Sequence, residues 1–358
     1  MRKANQTKSK PTPVFTSIFV PTYEISPHFP SMRHALYQIF KEVSMARKNE
    51  TQMTEFVLMG LSSEYQPILF GVFLLIYIFT LTGNVIIILI VTLVSQLQTP
   101  MYLFLRSLSA TEMVYTTVTM PRMLRDFLHQ DKTISILGCA AQFYFFCFLG
   151  AAECFILAFM AYDRYLAICH PLHYMTMMTK SKCLYISVGS WVAGLFLPLG
   201  NIILVFGLHF CNSNIIDHFF CDIIQVVRWV CSDTPFTILF VIKLYILIYT
   251  FLVIPLPFLL ILISYVHILI NVFRMHSSTG RKKAFSTCGS HLLSVCLFFG
   301  SATITYLRTK AIDTYGGPKV WSLLFLVFAP MLNPLIYSLR NNEVKKAFQK
   351  LVDKASYG

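Results

Sequence analysis

The sequence predicts an all-α membrane protein, built as a bundle of seven transmembrane helices. Hydrophobic residues make up 56% of the 358-residue chain and charged residues only 13%, and the mean hydropathy is +0.64. A soluble domain is typically about 25% charged. The apolar residues fall into seven segments near the roughly 20 residues that cross a bilayer. At these lengths only helices satisfy their own backbone hydrogen bonds in lipid.

The seven predicted spans are 67–94, 101–124, 137–161, 184–207, 238–270, 285–308 and 319–339. The strands of an outer-membrane barrel would be shorter and would alternate, and no segment here alternates. The spans divide the chain into three parts. We predict an N-terminal tail at 1–60, a seven-helix domain at 61–340 and a C-terminal segment at 341–358.

The N-terminal tail is polar and basic, with eight Lys and Arg against three Glu in the first 50 residues. It has no apolar core of signal-peptide length, so we predict a disordered segment. Two N-x-T sequons begin at Asn5 and Asn49. These are candidate glycosylation sites if this end of the chain is lumenal.

Basic residues orient the predicted bundle. The connections 170–183 and 271–284 and the tail after 339 carry an excess of Lys and Arg, and all three lie on one side of a seven-span protein. That side is expected to be cytoplasmic, which makes the N-terminus extracellular. The bias is moderate, because the N-terminal tail, Arg125 and Lys132 are basic on the other side.

An amphipathic helix is predicted in the C-terminal segment. Val344, Phe348, Leu351 and Val352 recur at helical spacing, with lysines between them. Such a helix lies on the inner leaflet with its apolar face in the membrane. The alternative is a solvated tail helix.

Charged residues inside or beside the spans are the first candidate functional residues. Asp163 and Arg164 end the third span, and Glu112 and Glu153 lie mid-span. Charge is costly in hydrocarbon, so such residues suggest function. Glu153 and Arg164 are eleven residues apart, about three helical turns, so they share a helix face. The alternatives are an interfacial anchor for Asp163-Arg164 and protonated, hydrogen-bonded structural carboxyls for the glutamates.

Four of the ten cysteines, Cys139, Cys211, Cys221 and Cys231, lie in predicted outer positions. An oxidising compartment permits disulfides there, and four cysteines allow three pairings. No C-x-x-C occurs, so zinc and thioredoxin-like motifs have no support. A metal cluster of His209 and His218 with these cysteines is disfavoured, because bridged cysteines lack the thiolate that a metal needs.

The sequence contains no set of residues that suggests an enzyme. The run from Ser286 to His291 holds nucleophile and imidazole types but no orienting acid, and a Ser-His pair alone is weak evidence for a triad. Gly-rich phosphate loops are absent. A nucleic-acid partner is disfavoured, because no soluble domain could carry a groove or recognition helix. A transporter or channel would need paired repeats, and none is found.

Six short motifs follow one another at the expected helix ends. They are Gly83-Asn84, Pro100–Leu105, Met160–Tyr174, Ser264-Tyr265, Lys283–Leu292 and Pro330–Asn341. Together they resemble the olfactory receptors, a branch of the rhodopsin-like G-protein-coupled receptors. The resemblance covers about residues 49–352. It implies an odorant receptor at the plasma membrane of sensory cilia, supported by trafficking chaperones. The alternative within the same fold is a chemosensor outside the nose.

The resemblance implies an activation switch formed by Asp163, Arg164, Tyr165, Tyr265, His291, Asn333, Pro334 and Tyr337. Arg164 would be held by Asp163 at rest. It would pair with Tyr265 and Tyr337 when a stimulatory heterotrimeric G protein is activated and cAMP rises. Pro334 cannot donate a backbone hydrogen bond, so Asn333-Pro334 is a candidate two-state element. The alternative is an ordinary proline kink.

The resemblance also implies a ligand pocket in the outer half of the bundle. Its candidate residues are Phe146, Cys147, Gly150, Ala151, Tyr249, Val253, Phe299, Ala302, Tyr306 and Leu326. This nearly uncharged set suits small hydrophobic volatiles, bound by burial with a few hydrogen bonds, and favours neutral molecules over carboxylic acids. Phe299 stands where the family usually has Tyr. The alternative for each residue is helix packing.

Three further expectations come from the resemblance. It implies the disulfides Cys139–Cys221 and Cys211–Cys231, and an internal sodium ion at Glu112 and Glu153 with Asn84 and Asn333 nearby. No other cofactor is expected. Members of the family usually begin near Met45, so residues 1–44 are expected to be an extension whose deletion leaves signalling intact.

Overall fold

The computed structural model describes residues 53–61, 65–211, 213–231, 234–307, 317–340, 344–349 and 353. The extension 1–44, the sequon residues Asn5 and Asn49, and Leu351 and Val352 of the predicted C-terminal stripe lie outside the described residues. So does the side chain of Tyr306, whose backbone belongs to a helix.

Seven long helical segments form the bundle, as predicted. They are α1 (Gln66–Leu93), α2 (Pro100–Leu128), α3 (Ile136–Cys169), α4 (Lys180–Phe196 and Leu199–Phe206), α5 (Phe236–Val253 and Pro255–Arg274), α6 (Ser278–Leu307) and α7 (Gly317–Leu323, a π-helical turn Leu324–Phe328 and Ala329–Arg340). The local sequence explains where several of these helices begin. Pro100 opens α2, where its missing N–H is harmless. Ser135 caps α3 by accepting from Gly138 N.

Six of these segments are long and apolar enough to cross a membrane, within the part of the chain that the structure describes. They are Gln66–Leu93, Ile136–Cys169, Lys180–Phe206, Phe236–Arg274, Cys288–Thr305 and Trp321–Ser338. The exception is α2, which carries Arg106, Glu112 and Asp126 among its 29 residues. At 1.5 Å per residue it is about 43 Å long, enough to span a bilayer.

The central helix of the bundle is α3, which packs against α2, α4, α5 and α6. Small residues allow these close approaches. A Cβ atom at Gly194 of α4 would lie 2.6 Å from the backbone oxygen of Phe148 in α3, so only glycine fits there. The buried hydrophobic residues form two clusters. The inner cluster includes Leu166, Tyr265 and Tyr337, and the outer cluster includes Tyr115 and Phe220.

A three-stranded sheet covers the outer end of the bundle. Strand β1 (Glu55–Leu58) lies between β2 (Thr133–Ser135) and β3 (Ile215–Ile216), antiparallel to β2 and parallel to β3. Phe56 and Leu58 are fully buried, because alternate residues of a strand share one face. The sequence prediction assigned residues 53–60 to the tail, and it did not anticipate this strand.

The described part of the C-terminal segment, residues 344–349, is helical. Val344 and Ala347 are buried, while Phe348 is 45% exposed. Val344 and Phe348 border a groove with α1 and α7. The apolar side of this short helix therefore adjoins the bundle at Val344 and extends to the surface at Phe348.

Candidate functional site

A buried polar network begins where proline interrupts α7. Pro334 has no N–H, so the carbonyl of Pro330, four residues earlier, lacks its helical donor. Asn84 of α1 supplies a donor instead, since its Nδ2 lies 3.3 Å from that oxygen. Gly83 permits the approach, because a Cβ atom there would lie 3.1 Å from Cβ of Pro334. The Gly83-Asn84 motif thus supplies a hydrogen-bond donor to the carbonyl of α7 that the proline leaves without one.

Asn333 connects three helices at the same level. Its Nδ2 donates to Oε1 of Glu112 in α2, and its Oδ1 accepts from the hydroxyl of Ser294 in α6 at 2.7 Å. Glu112 and Asn333 are almost completely buried. The predicted association of Glu112 with Asn333 is therefore present, and Ser294 is a further member that the sequence analysis missed.

Glu153 of α3 is a second buried acid near this network, to which no hydrogen bond joins it among the described residues. It is fully buried and lies within electrostatic range of Glu112. Both of its carboxylate oxygens, Oε2 of Glu112 and Oδ1 of Asn84 make no hydrogen bond among the described residues. Buried polar atoms are normally satisfied. Four free oxygens of two acids and an amide are the kind of donors that a hard cation prefers, so these residue types fit the sodium ion that the family resemblance implies.

Arg164 is tethered at the inner end of α3. Its Nη2 lies 2.5 Å from Oδ2 of Asp163, and its Nε donates to the same oxygen at 3.1 Å. The hydroxyl of Tyr174, in the short helix Pro171–Met177, donates to the other oxygen at 2.9 Å. Asp163 is fully buried and Arg164 is 9% exposed. The carboxylate thus has partners on both oxygens, and the guanidinium is held in place.

Tyr265 of α5 is tethered to a different residue. Its hydroxyl lies 2.7 Å from Nδ1 of His291 in α6, and Nε2 of His291 lies 3.0 Å from the carbonyl oxygen of Leu157 in α3. A carbonyl can only accept, so Nε2 carries the proton and, in the neutral ring, Nδ1 accepts from the tyrosine. His291 therefore joins α3, α5 and α6 through one buried side chain.

The remaining predicted switch residues lie nearby. The hydroxyl of Tyr165 lies 3.0 Å from Nε2 of His170, and its ring centroid is 5.7 Å from that of His267 in α5. Tyr337 is buried in the inner cluster. Asp163, rather than Tyr265 or Tyr337, binds Arg164 in this structure.

The predicted pocket residues divide between the two hydrophobic clusters. Phe146 and Leu326 belong to the outer cluster, where the ring of Phe146 lies 5.1 Å from Phe220 and 6.1 Å from Phe325. Gly150 faces the same region, since a Cβ atom there would lie 3.8 Å from the ring of Tyr115. The outer cluster is therefore the aromatic part of the candidate pocket.

The other predicted pocket residues lie deeper. Ala151, Val253 and Phe299 belong to the inner cluster, with Tyr249 packed against it, and Ala302 is also buried. The hydroxyl of Tyr249 donates to the backbone oxygen of Cys147 at 3.2 Å. Cys147 and Tyr249 therefore couple α3 to α5 between the two parts of the candidate pocket.

Residues of the loop that follows α4 close the disulfide-bonded end of the bundle, and the sequence analysis assigned them no role. Phe219 and Phe220 are buried in the outer cluster, and His218 reaches the hydroxyl of Ser322 in α7 at 3.2 Å. Gln142 of α3 accepts from the backbone N–H of Cys221 at 3.0 Å. The feature of the sequence that could have indicated this role was the aromatic pair Phe219-Phe220 directly before Cys221.

Asn201 is a second residue that the sequence analysis missed. It is 1% exposed, and neither polar atom of its amide has a hydrogen-bond partner among the described residues. It lies four residues before Val205, which is also buried, so these two residues share one face of the second segment of α4. The feature of the sequence that could have drawn attention to Asn201 was a single amide side chain in a predicted membrane span.

Both expected disulfides are present. Cys139 at the start of α3 is bonded to Cys221, and Cys211 is bonded to Cys231. Of the three pairings that the sequence left open, the structure has the one that ties the loop to α3 and closes it on itself.

Comparison with known proteins identifies the family. Residues 73–354 match the family model described as olfactory receptor. Olfactory receptor 10A7 of Homo sapiens is 46% identical over 310 residues, covering 86% of this chain and 96% of the relative. Olfactory receptor 5AR1 of Mus musculus is 46% identical over 314 residues, covering 87% and 99%. The chain therefore belongs to the olfactory receptor family, whose members are G-protein-coupled receptors and not enzymes.

Proposed function

We propose that this receptor binds small, neutral, hydrophobic volatiles in the outer half of the bundle and then activates a stimulatory heterotrimeric G protein, which raises cAMP. The observation that most strongly supports this proposal is the state of the switch. Arg164 is bound by Asp163 and Tyr265 is bound by His291, so the two residues whose pairing is expected on activation have other partners. This arrangement suits a resting receptor.

Ligand binding would draw on the outer cluster and the residues just below it. Aromatic rings of Phe146, Phe220 and Phe325 provide apolar area, and Tyr249 provides a polar group. At roughly 25 cal/mol per Å² of buried apolar surface, a small volatile gains modest free energy. We therefore expect affinity in about the micromolar range. An uncharged set of side chains disfavours a carboxylate ligand, because a buried charge needs a partner.

Switching would require that the ligand bind the active state more tightly than the resting state. In our proposal, that preference is transmitted through α3, because Cys147 and Ala151 in the candidate pocket share this helix with Leu157 and Arg164. A shift of α3 would disturb the bond between Leu157 and His291 and release Tyr265. The inner ends of α3, α5 and α6 would then separate and admit the G protein.

A sodium ion in the resting state is part of the proposal. Glu112, Glu153 and Asn84 would hold it through oxygens that have no other partner, with Asn333 orienting Glu112. The ion would supply positive charge that balances two buried carboxylates. Purified receptor should unfold at a higher temperature in sodium chloride than in choline chloride, and Glu153→Gln should abolish this difference. Equal melting temperatures in both salts would contradict the sodium site.

The proposed location is the plasma membrane of sensory cilia, reached with trafficking chaperones, with the N-terminus outside. Two observations support this orientation. Both disulfides lie at the end of the bundle that carries β1, and disulfides persist in oxidising compartments. The connections 170–183 and 271–284 at the other end are basic, as cytoplasmic loops usually are.

The direct test is a cAMP assay in cells that express the receptor with trafficking helpers, screened against a broad panel of volatiles. We expect a dose-dependent rise that Arg164→Ala abolishes at equal surface expression. Arg164→Lys should retain little of it, because an ammonium lacks the planar, spread donors with which a guanidinium can reach both Tyr265 and Tyr337. A response that persists in Arg164→Ala would refute the role of this residue. If the wild type reaches the surface but responds to no volatile in the panel and has no basal G-protein activity, the result would count against coupling to a stimulatory G protein.

A further inference from the structure

Arg106 is a cation within α2 that has no protein partner among the described residues. It makes no hydrogen bond or ion pair there, although it is only partly exposed. It lies six residues after Pro100, about 9 Å along the helix. An unpaired charge at this depth is costly in hydrocarbon, so a partner from outside the chain is expected.

The side chain of Arg106 borders a cavity of about 550 Å³ on the flank of the bundle. The other lining residues that matter here are Leu103, Ser107, Ser187, Trp191 and Val192. Leu184, Val188 and Val192 on the α4 side are exposed, so the cavity opens toward the membrane. It combines an apolar wall long enough for part of an acyl chain with one cation and two hydroxyls at similar depth.

The surrounding charge is positive. Lys180 at the start of α4 donates to the side chain of Gln98, just before α2, at 3.2 Å, so the starts of both helices lie at the same membrane surface. No acidic residue occurs in 94–111 or in 164–216. Helical side chains lean toward the N-terminus of their helix, so Arg106 leans toward this surface, where lipid phosphates lie.

We propose that this cavity is a binding site for an anionic phospholipid, whose phosphate pairs with Arg106 and whose acyl chain lies along Trp191 and Val192. Arginine favours phosphate because its planar fork matches two oxygens. Ser107 and Ser187 add hydroxyl donors. In the proposed orientation the lipid belongs to the cytoplasmic leaflet, which is the anionic one. A zwitterionic lipid fits less well, because no acidic side chain lines the cavity to pair with its cation.

The test uses purified full-length receptor in nanodiscs of equimolar phosphatidylserine and phosphatidylcholine, with lipids that stay bound after detergent transfer counted by native mass spectrometry. We expect phosphatidylserine to be enriched about fivefold over phosphatidylcholine on the wild type. Arg106→Gln should remove most of this enrichment, and Arg106→Lys should retain part of it. Equal retention of both lipids by the wild type would overturn the proposal without any variant.

Lys243 offers a matched control. It is an exposed cation in the long apolar part of α5, and it does not line this cavity. We expect Lys243→Gln to retain the enrichment. Enrichment that survives in Arg106→Gln, or that falls equally in both variants, would mean general attraction to basic residues and would overturn the site. If Arg106→Gln does not fold, replacing phosphatidylserine by phosphatidylglycerol on the wild type must preserve the enrichment.

Discussion

The two ends of the bundle are held together by different kinds of interaction. The outer end has two disulfides, a three-stranded sheet and a buried aromatic cluster. The described part of the inner end has the inner hydrophobic cluster and hydrogen bonds between side chains, centred on Asp163 and His291, but neither a disulfide nor a sheet. Covalent and backbone constraints resist rearrangement, whereas side-chain hydrogen bonds exchange at modest free-energy cost. We therefore expect the outer end to stay fixed while the inner end rearranges.

The largest expected effect comes from breaking the outer end. Cys139→Ser removes the disulfide that ties the loop to α3, and loss of a native disulfide costs about 2–5 kcal/mol. We expect surface expression and melting temperature to fall sharply. Cys211→Ser should have a smaller effect, because its bond spans 20 residues instead of 82. Cys296→Ser, at an exposed free cysteine, is the control and should resemble the wild type.

The next largest effect should come from the tether of Arg164. Asp163→Asn removes the charge from a buried pair, and a hydrogen bond to a charged group contributes about 1.5–3 kcal/mol. We expect basal cAMP, measured at matched surface expression, to rise by about tenfold or more. Tyr174→Phe removes only one hydrogen bond to Asp163 and should raise basal cAMP less. Basal activity that stays at the wild-type level in Asp163→Asn would show that this pair does not restrain the switch.

A smaller effect should separate the two roles of Tyr265. Tyr265→Phe loses its bond to His291 and also its expected bond to Arg164, so basal cAMP should change little while the maximal response to an odorant falls. His291→Phe loses only the bonds seen here, and a neutral hydrogen bond contributes about 0.5–1.5 kcal/mol. We expect it to raise basal cAMP by about twofold to tenfold without lowering the maximum. Identical dose–response curves for the two variants would contradict this assignment.

The smallest effect should come from a single polar contact at the outer end. The backbone N–H of Thr133 donates to Asp131 at 3.0 Å and the hydroxyl at 2.8 Å, and these bonds lower the pKa of Asp131 below its ordinary value. A lowered folded-state pKa stabilises the fold above the unfolded value of about 3.9, and this contribution is lost as pH falls through the folded pKa.

We therefore expect Asp131→Ala to speed hydrogen exchange in β1 and β2 slightly, by the same factor at every pH between 5 and 8. Asp131→Asn, which keeps an acceptor oxygen, should exchange more like the wild type. A difference between Asp131→Ala and wild type that grows or shrinks across this range would mean that another group titrates there.

Much of the fold followed from the sequence because its causes are local. Apolar length fixes where a helix can span a membrane, and this predicted all seven segments, including α2 with its charges. The proline at position 334 and the Asp163-Arg164 pair were also recognisable, because backbone chemistry and the cost of charge in lipid do not depend on neighbours far along the chain. The candidate cysteines were evident, but their pairing followed only from family resemblance.

Other features depend on which residues meet across the bundle. The sequence does not specify how far each helix is rotated, so it could not predict that Asn84 reaches the carbonyl of Pro330, 246 residues away. The sequence also could not predict the bond between Tyr265 and His291. Nor could it predict that Asn201 and Arg106 have no hydrogen-bond partner among the described residues.

The sequence by itself determined the seven-helix membrane architecture, the position of the Asp163-Arg164 pair at the end of α3 and the cysteines available for bridging. The tertiary structure alone decided that residues 55–58 form a strand of the outer cap, and that Arg164 and Tyr265 have separate partners. The physical reason is how far apart along the chain the residues that determine each feature lie. Helix formation in lipid depends on the backbone and side chains of one segment, whereas hydrogen-bond pairing depends on angstrom-scale distances between segments that only close packing sets.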